Sequence, residues 1–213
     1  MEEQYLREKR ELVERYRREN RSAVKGQTVF AGSSLMEMFP VEEWTKQLGE
    51  NAPVVYNRGV GGYKTEDLWK VLDVCVLDLR PAKVFINIGT NDLGDPERTL
   101  QGIMESYERI ITRIEQELPG VKIYLMAYYP VNFEAAIEEV KPVLKIRSNE
   151  KVALANERVK EMAACHGQRY IDVNAPLKDE GGNLKAEYTI EGLHIKPEGY
   201  RAIFEEVMRY VKE

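Results

Sequence analysis

Histidine and cysteine occur only twice each in this chain of 213 residues, and that scarcity narrows its chemistry at once. Cys75 and Cys165 stand far apart without CxxC spacing, and His166 and His194 are the sole imidazoles. A structural zinc site takes four clustered ligands of these types, so no metal is expected. Both cysteines fall in amphipathic helical patterns and read as buried free thiols. Positive charge is in deficit: 31 Lys and Arg against 36 Asp and Glu leave a net charge of -5. That balance supplies no pull toward nucleic acid or an anionic membrane, and neither is expected as a partner. Long apolar runs are missing as well. The opening Met1-Glu2-Glu3-Gln4 carries no apolar stretch, so neither a signal peptide nor a membrane span is expected, and a cytoplasmic location follows as the expectation. With 43% hydrophobic residues and no repeat, linker or low-complexity tract, the chain reads as one globular domain with a sizeable core.

What is present begins with a charged helix. Residues 2–21 are dense in Arg, Lys and Glu, while Tyr5, Leu12 and Tyr16 recur at helical spacing as a thin apolar stripe. This predicts an N-terminal amphipathic helix over residues 1–25, either packed on the remaining 26–213 or pairing two subunits into a homo-oligomer. Its charge run reads as a solvated face. After Gly26 the pattern changes. Short apolar runs at Thr28–Ala31, Val54–Asn57, Lys83–Ile88, Val121–Met126 and Arg169–Val173 alternate with helical stretches near 34–48, 64–79, 97–117, 149–166 and 197–212. Short buried strands alternating with helices predict an α/β fold, a parallel sheet covered on both faces. Residues 128–148 are the least regular piece. They read either as a segment lining the site or as a connecting helix broken by Pro142, with Tyr128 and Tyr129 either aromatics at the site's rim or simply core or strand-end residues.

Ligands of open parallel sheets bind beyond the carboxyl ends of the strands. Ser34, Gly62 and Asn91 follow the first three predicted strands and would converge there. A serine hydroxyl needs a neighbouring base to act as a nucleophile. Glu191 lies three residues before His194, a spacing that lets a carboxylate hold the imidazole Nδ1–H while Nε2 takes a serine proton. A tetrahedral intermediate needs preset donors, which the backbone N–H groups of Ser34 and Gly62 and the Asn91 amide would supply as an oxyanion hole. Each feature alone also has an ordinary reading. Ser33 or Ser34 would cap a helix, Gly61-Gly62 would turn, and Asn91 would cap. Asp92 reads as a turn-shaping residue, and His166, at a helix end, as a partner of free helix carbonyls.

Taken in order, Gly32-Ser33-Ser34, Asn57-Arg58-Gly59-Val60-Gly61-Gly62, Gly89-Thr90-Asn91-Asp92 and Glu191-Gly192-Leu193-His194 resemble the four blocks of the GDSL/SGNH esterases and lipases. The second block looks like that of the acetylhydrolase-type members. The resemblance covers roughly residues 26–212. It implies a flavodoxin-like three-layer α/β/α sandwich with a five-stranded parallel sheet. Carried over, Ser34 is the nucleophile, His194 the general base, and Gly62 and Asn91 join the Ser34 amide in the oxyanion hole. Two residues depart from the pattern. Ser33 stands where aspartate is usual, leaving two adjacent serines, and Glu191 replaces the usual aspartate with a longer stem.

The combined reading is a serine ester hydrolase that removes a short acyl group, acetyl above others, from an O-acetylated carbohydrate or other small ester, without a cofactor. A thioesterase or lysophospholipase-type acylhydrolase, and a catalytically weakened binding module on the same fold, are the alternatives. A nucleotide-binding flavodoxin-like protein would need a phosphate cradle after the first strand, and Gly32-Ser33-Ser34-Leu35-Met36-Glu37 is too short and too poor in glycine for one.

Overall fold

A computed structural model describes residues 2–213. In chain order its elements are α1 (Glu2–Glu19), β1 (Thr28–Gly32), α2 (Ser34–Glu37), α3 (Val41–Lys46), β2 (Val55–Gly59), α4 (Thr65–Lys70), α5 (Leu72–Cys75), β3 (Lys83–Asn87), α6 (Thr90–Leu93), α7 (Leu100–Glu117), β4 (Lys122–Met126), α8 (Lys141–Ile146), α9 (Asn149–Cys165), β5 (Arg169–Ile171) and α10 (Pro197–Lys212). The five strands are parallel, in the order β2-β1-β3-β4-β5. Alternate side chains enter two separate cores, as the period of two requires. Ala31, Val84, Ile86, Ile123 and Leu125 face α4, α5, α7 and α9, while Phe30, Phe85 and Tyr124 face α2, α3 and α10. On that second face, Phe30, Phe85 and Tyr124 are neighbours in register and stack at 4.6 and 4.4 Å between ring centroids, tying three strands together. Among the described residues, no helix is long and apolar enough to cross a membrane.

The predicted strands and the helices near 97–117, 149–166 and 197–212 are present, whereas the helix expected over 64–79 is broken into α4, α5 and a 3-10 turn at Leu77–Leu79, because Val71 leaves helical dihedrals at φ -118° and ψ 16°. The helix expected over 34–48 is two, because Pro40 lacks an N–H and the chain turns between Met38 and Val41. Pro142 does not break a helix; it sits in the first turn of α8, where a missing N–H leaves no bond unmade. α1 packs on the domain itself: Val13 and Tyr16 are buried in the first core, and Tyr16 Oη donates to the Gly59 carbonyl at 2.8 Å. Asn20 fixes the end of the same segment by donating to the Val74 carbonyl at 2.7 Å. Cys75 is buried, and burial pushes its thiol up to about 12, whereas Cys165 is exposed, contrary to expectation, because it closes the last turn of α9 on the solvent side. His166 corrects another expectation. Its ring reaches Glu115 (Nδ1, 2.8 Å) and Glu108 (Nε2, 3.3 Å) on α7 instead of helix carbonyls, because α7 and α9 lie side by side.

Candidate active site

The order β2-β1-β3 puts the reversal of winding between β1 and β3, where a crevice opens at the carboxyl ends of the strands. Ser34 leaves β1 there as the first residue of α2, and Asn91 leaves β3 there within α6. Of the two adjacent serines, Ser33 is fully buried, with its carbonyl accepting the N–H groups of Met36 and Glu37 at 3.0 and 2.9 Å. Only Ser34 turns its hydroxyl to the crevice, where Oγ lies 3.0 Å from His194 Nε2. On the other side of the ring, His194 Nδ1 lies 2.7 Å from Glu191 Oε1. The same Glu191 oxygen accepts the His194 backbone N–H at 3.0 Å, so one carboxylate fixes both the ring and its peptide. The structure thus brings Ser34, His194 and Glu191 into one continuous hydrogen-bonded row. Nδ1–H held by a carboxylate leaves Nε2 as the acceptor facing the hydroxyl.

The loop that carries the pair is rigid for reasons spread over several residues. Thr189 Oγ1 accepts the Gly192 N–H at 2.8 Å and donates to the His194 carbonyl at 3.1 Å; Ile190 N–H reaches the same carbonyl at 2.9 Å. The irregular segment after β4 backs this loop. Asn132 N–H donates to the Gly192 carbonyl at 2.8 Å, and Leu193 packs into a small satellite core of Val131, Ala136 and Leu144. Gly192 has φ +100°, and a Cβ there would lie 2.5 Å from the Ala136 Cβ, so the turn needs glycine twice over. Residues 128–148 therefore support the site from behind. Of the two readings of Tyr128 and Tyr129, the structure bears out the core and not the rim. Both are fully buried, and Tyr128 Oη donates to the Ile88 carbonyl at 2.8 Å. Aromatic rings at the mouth come instead from Tyr5, which is 48% exposed, and half-buried Tyr63.

The candidate donors lie on the segments that follow β1, β2 and β3. Among the described residues, no acceptor takes the N–H of Ser34 or of Gly62. The Asn91 side chain donates to the Tyr63 carbonyl at 3.0 Å, which orients the amide and leaves its second hydrogen available. Gly62 has φ +69° and lies directly beneath the α1 side chains. Its loop is anchored by Glu37, whose carboxylate accepts the Gly61 N–H at 2.5 Å, and by Asn57, which donates to the Met36 and Phe39 carbonyls at 2.6 and 2.9 Å and accepts the Gly59 N–H at 3.0 Å. Asp92 is fully buried and shapes the turn as expected. It accepts from Thr65 N–H at 3.0 Å and Thr65 Oγ1 at 2.8 Å and pairs with Arg98 at 3.2 Å, joining α6 to α4. Burial raises its carboxyl above the usual range, while the Thr65 bonds and Arg98 pull it back. Glu37, Tyr63, Thr189 and the Asn132 peptide escaped the sequence reading. Glu37, Tyr63 and Asn132 act through a carboxylate or backbone group whose partner is distant in sequence, and Thr189 through a hydroxyl that closes its own turn.

Comparison with known proteins identifies the family. The GDSL-like lipase/acylhydrolase family matches residues 10–202. A Streptococcus pneumoniae structure described as a platelet activating factor is 32% identical, covering 99% of this chain and 95% of its own, with a TM-score of 0.86. An acetylxylan esterase from Geobacillus stearothermophilus shares the fold at 16% identity, a TM-score of 0.64, and 88% and 95% coverage. An Escherichia coli N-acylneuraminate cytidylyltransferase is 26% identical over 159 residues, which are 74% of this chain. The match spans 35% of that longer protein. Matched along nearly its whole length, the chain belongs to the GDSL-like lipase/acylhydrolase family and is a carboxylic ester hydrolase.

Proposed function

We propose that Ser34 is the nucleophile of this hydrolase, His194 its general base and acid, and Glu191 the residue that orients the imidazole. The observation that carries the assignment is the row from Ser34 Oγ to His194 Nε2 at 3.0 Å and from Nδ1 to Glu191 at 2.7 Å. His194 takes the serine proton as Oγ attacks the ester carbonyl, and Glu191 stabilises the imidazolium. The oxyanion is held by the N–H groups of Ser34 and Gly62 and by Asn91. As the intermediate collapses, His194 returns the proton to the leaving alcohol, and water then releases the acid from the acyl-enzyme by the same route.

The preferred acyl group in this reading is short, acetyl above others, and the alcohol is hydroxyl-rich, as in an O-acetylated carbohydrate. Tyr128 and Tyr129 are buried, and the charged Glu8, Lys9, Arg15 and Glu37 line the cleft beside Gly61. The acetylxylan esterase of the same fold, and the E. coli relative named for N-acylneuraminate, support a sugar ester. The test is hydrolysis of p-nitrophenyl acetate, butyrate and octanoate by the native protein and by Ser34→Ala, with fluorophosphonate labelling alongside. Acetate as the best substrate, and loss of both turnover and labelling in Ser34→Ala, is the expected result. Labelling that survives the substitution would remove Ser34 from the role.

A further inference from the structure

The first helix does more than cover the core: it roofs Gly62. A Cβ on Gly62 would lie 2.7 Å from Lys9 Nζ and closer still to the Tyr5 hydroxyl. Both polar tips therefore rest on the peptide whose N–H is assigned to the oxyanion hole. Lys9 is half-buried, with its ammonium 3.9 Å above the Tyr5 ring and 5.6 Å from that of Tyr63. No carboxylate of the described residues forms an ion pair with it. Those nearby have other donors: Glu11 meets Arg7 at 3.8 Å, Glu8 accepts from Gln4 at 3.0 Å, and Glu37 accepts from Gly61 N–H. Lys9 and Tyr5 line a cleft of about 510 Å³ that runs along α1 from Gly61, with Arg15 and Arg18 and the carboxylates of Glu8, Glu11 and Glu37 also in its lining. A Cβ on Gly61 would lie 3.8 Å from that of Ser34, so the Gly61 end of the cleft is the one near Ser34. The family match begins at residue 10, after Tyr5 and Lys9.

We infer that Lys9, supported by Tyr5, recognises a negative charge on the alcohol part of the ester, so that the preferred substrate is the acyl ester of an anionic, hydroxyl-bearing compound. This rests on the roles proposed for Ser34 and Gly62. The charge belongs to the alcohol because a short acyl group has no place for one, and because the ammonium faces the open cleft, which has room for the larger half of the ester. A half-buried ammonium with aromatic faces around it and no ion-pair partner among the described residues is a cation prepared for an anion.

The experiment compares three acetyl esters: neutral phenyl acetate, 4-acetoxybenzoate with a carboxylate, and 4-acetoxyphenyl phosphate. Native protein, Lys9→Gln and Lys9→Arg are assayed on each. Lys9→Gln is expected to lower kcat/KM about fivefold on the charged esters, mainly through KM, and less than about twofold on phenyl acetate, the scale of one partly solvated ion pair. Lys9→Arg is expected to keep the preference, and the ester that loses more identifies carboxylate or phosphate as the recognised group. An equal loss on all three esters, or no loss on any, would overturn the inference. A native protein that neither hydrolyses phenyl acetate nor labels with fluorophosphonate would overturn the hydrolase assignment with it. A labelled, active protein in which Lys9→Gln is silent defeats the Lys9 inference alone.

Discussion

Glu191→Asp is the most searching substitution, because aspartate is the residue the family resemblance would place there. Shortening the stem by one methylene draws the carboxylate back by about 1.5 Å. The 2.7 Å contact with His194 Nδ1 would then open to about 4 Å, beyond a hydrogen bond, unless the turn follows. The turn is held against following. Gly192 lies against Ala136 and the Asn132 carbonyl, its own carbonyl is taken by the Asn132 N–H, and Thr189 closes the turn from inside. Losing a charge-assisted bond of this kind removes about 1.5–3 kcal/mol, so kcat/KM should fall about 10- to 100-fold. Glu191→Gln keeps the length but loses the charge and the tautomer control, and a loss of about 10³- to 10⁴-fold is expected. The assay is kcat/KM on p-nitrophenyl acetate with the rate of fluorophosphonate labelling, and thermal unfolding checks that each variant folds. A Glu191→Asp protein as active as the native one would refute the argument that this turn is built around glutamate.

Gly62→Ala should lower stability by about 1–2 kcal/mol, because φ +69° is strained for alanine and its methyl would press on Tyr5 and Lys9; denaturant unfolding measures this, and an unchanged midpoint would contradict the need for glycine there. Asp92→Ala should cost about 2–3 kcal/mol by leaving the Thr65 N–H buried and unpaired and Arg98 without its carboxylate; a loss below 1 kcal/mol in urea melts would contradict the anchoring role. At His166, burial pulls the imidazole down but the bonds to Glu115 and Glu108 prevail and raise it. A raised folded value gives stabilisation that is complete below the ordinary value of about 6.5 and lost as pH rises through the folded one. His166→Gln should therefore be about 0.5 kcal/mol less stable than native at pH 5.5 and equal to it at pH 9, and the same deficit at both would refute the pairing.

The parts of this molecule that could be read from the sequence are those governed by local chemistry. Apolar runs of strand length, such as Lys83 to Ile88, and the amphipathic pattern of α7 declare themselves because one element's burial fixes its own periodicity. Ser34, Gly62, Asn91 and the Glu191–His194 pair were legible for another reason. The carboxyl ends of parallel strands converge, so residues that follow different strands meet. What was not legible depends on partners brought by packing. Nothing local says that Tyr128 turns inward, since its hydroxyl is satisfied by Ile88 forty residues away. Nor does the spacing of Tyr5 and Lys9 show that their tips land on Gly62. Pro142 was misread because a proline in an apolar stretch looks like a break until the helix is seen to begin there.

The small satellite core behind the His194 loop has a consequence for how the protein fails on heating. Val131, Ala136, Leu144 and Leu193 bury little area beside the two large cores, so this patch belongs to the low end of local opening energies. When it opens, the sheet and its ring stacks stay assembled, but Glu191 and His194 lose the surface that holds them opposite Ser34. Heat inactivation should then precede the loss of helical circular dichroism, and it should reverse on cooling. The enzyme would carry its own fuse, placed under the base and not under the nucleophile.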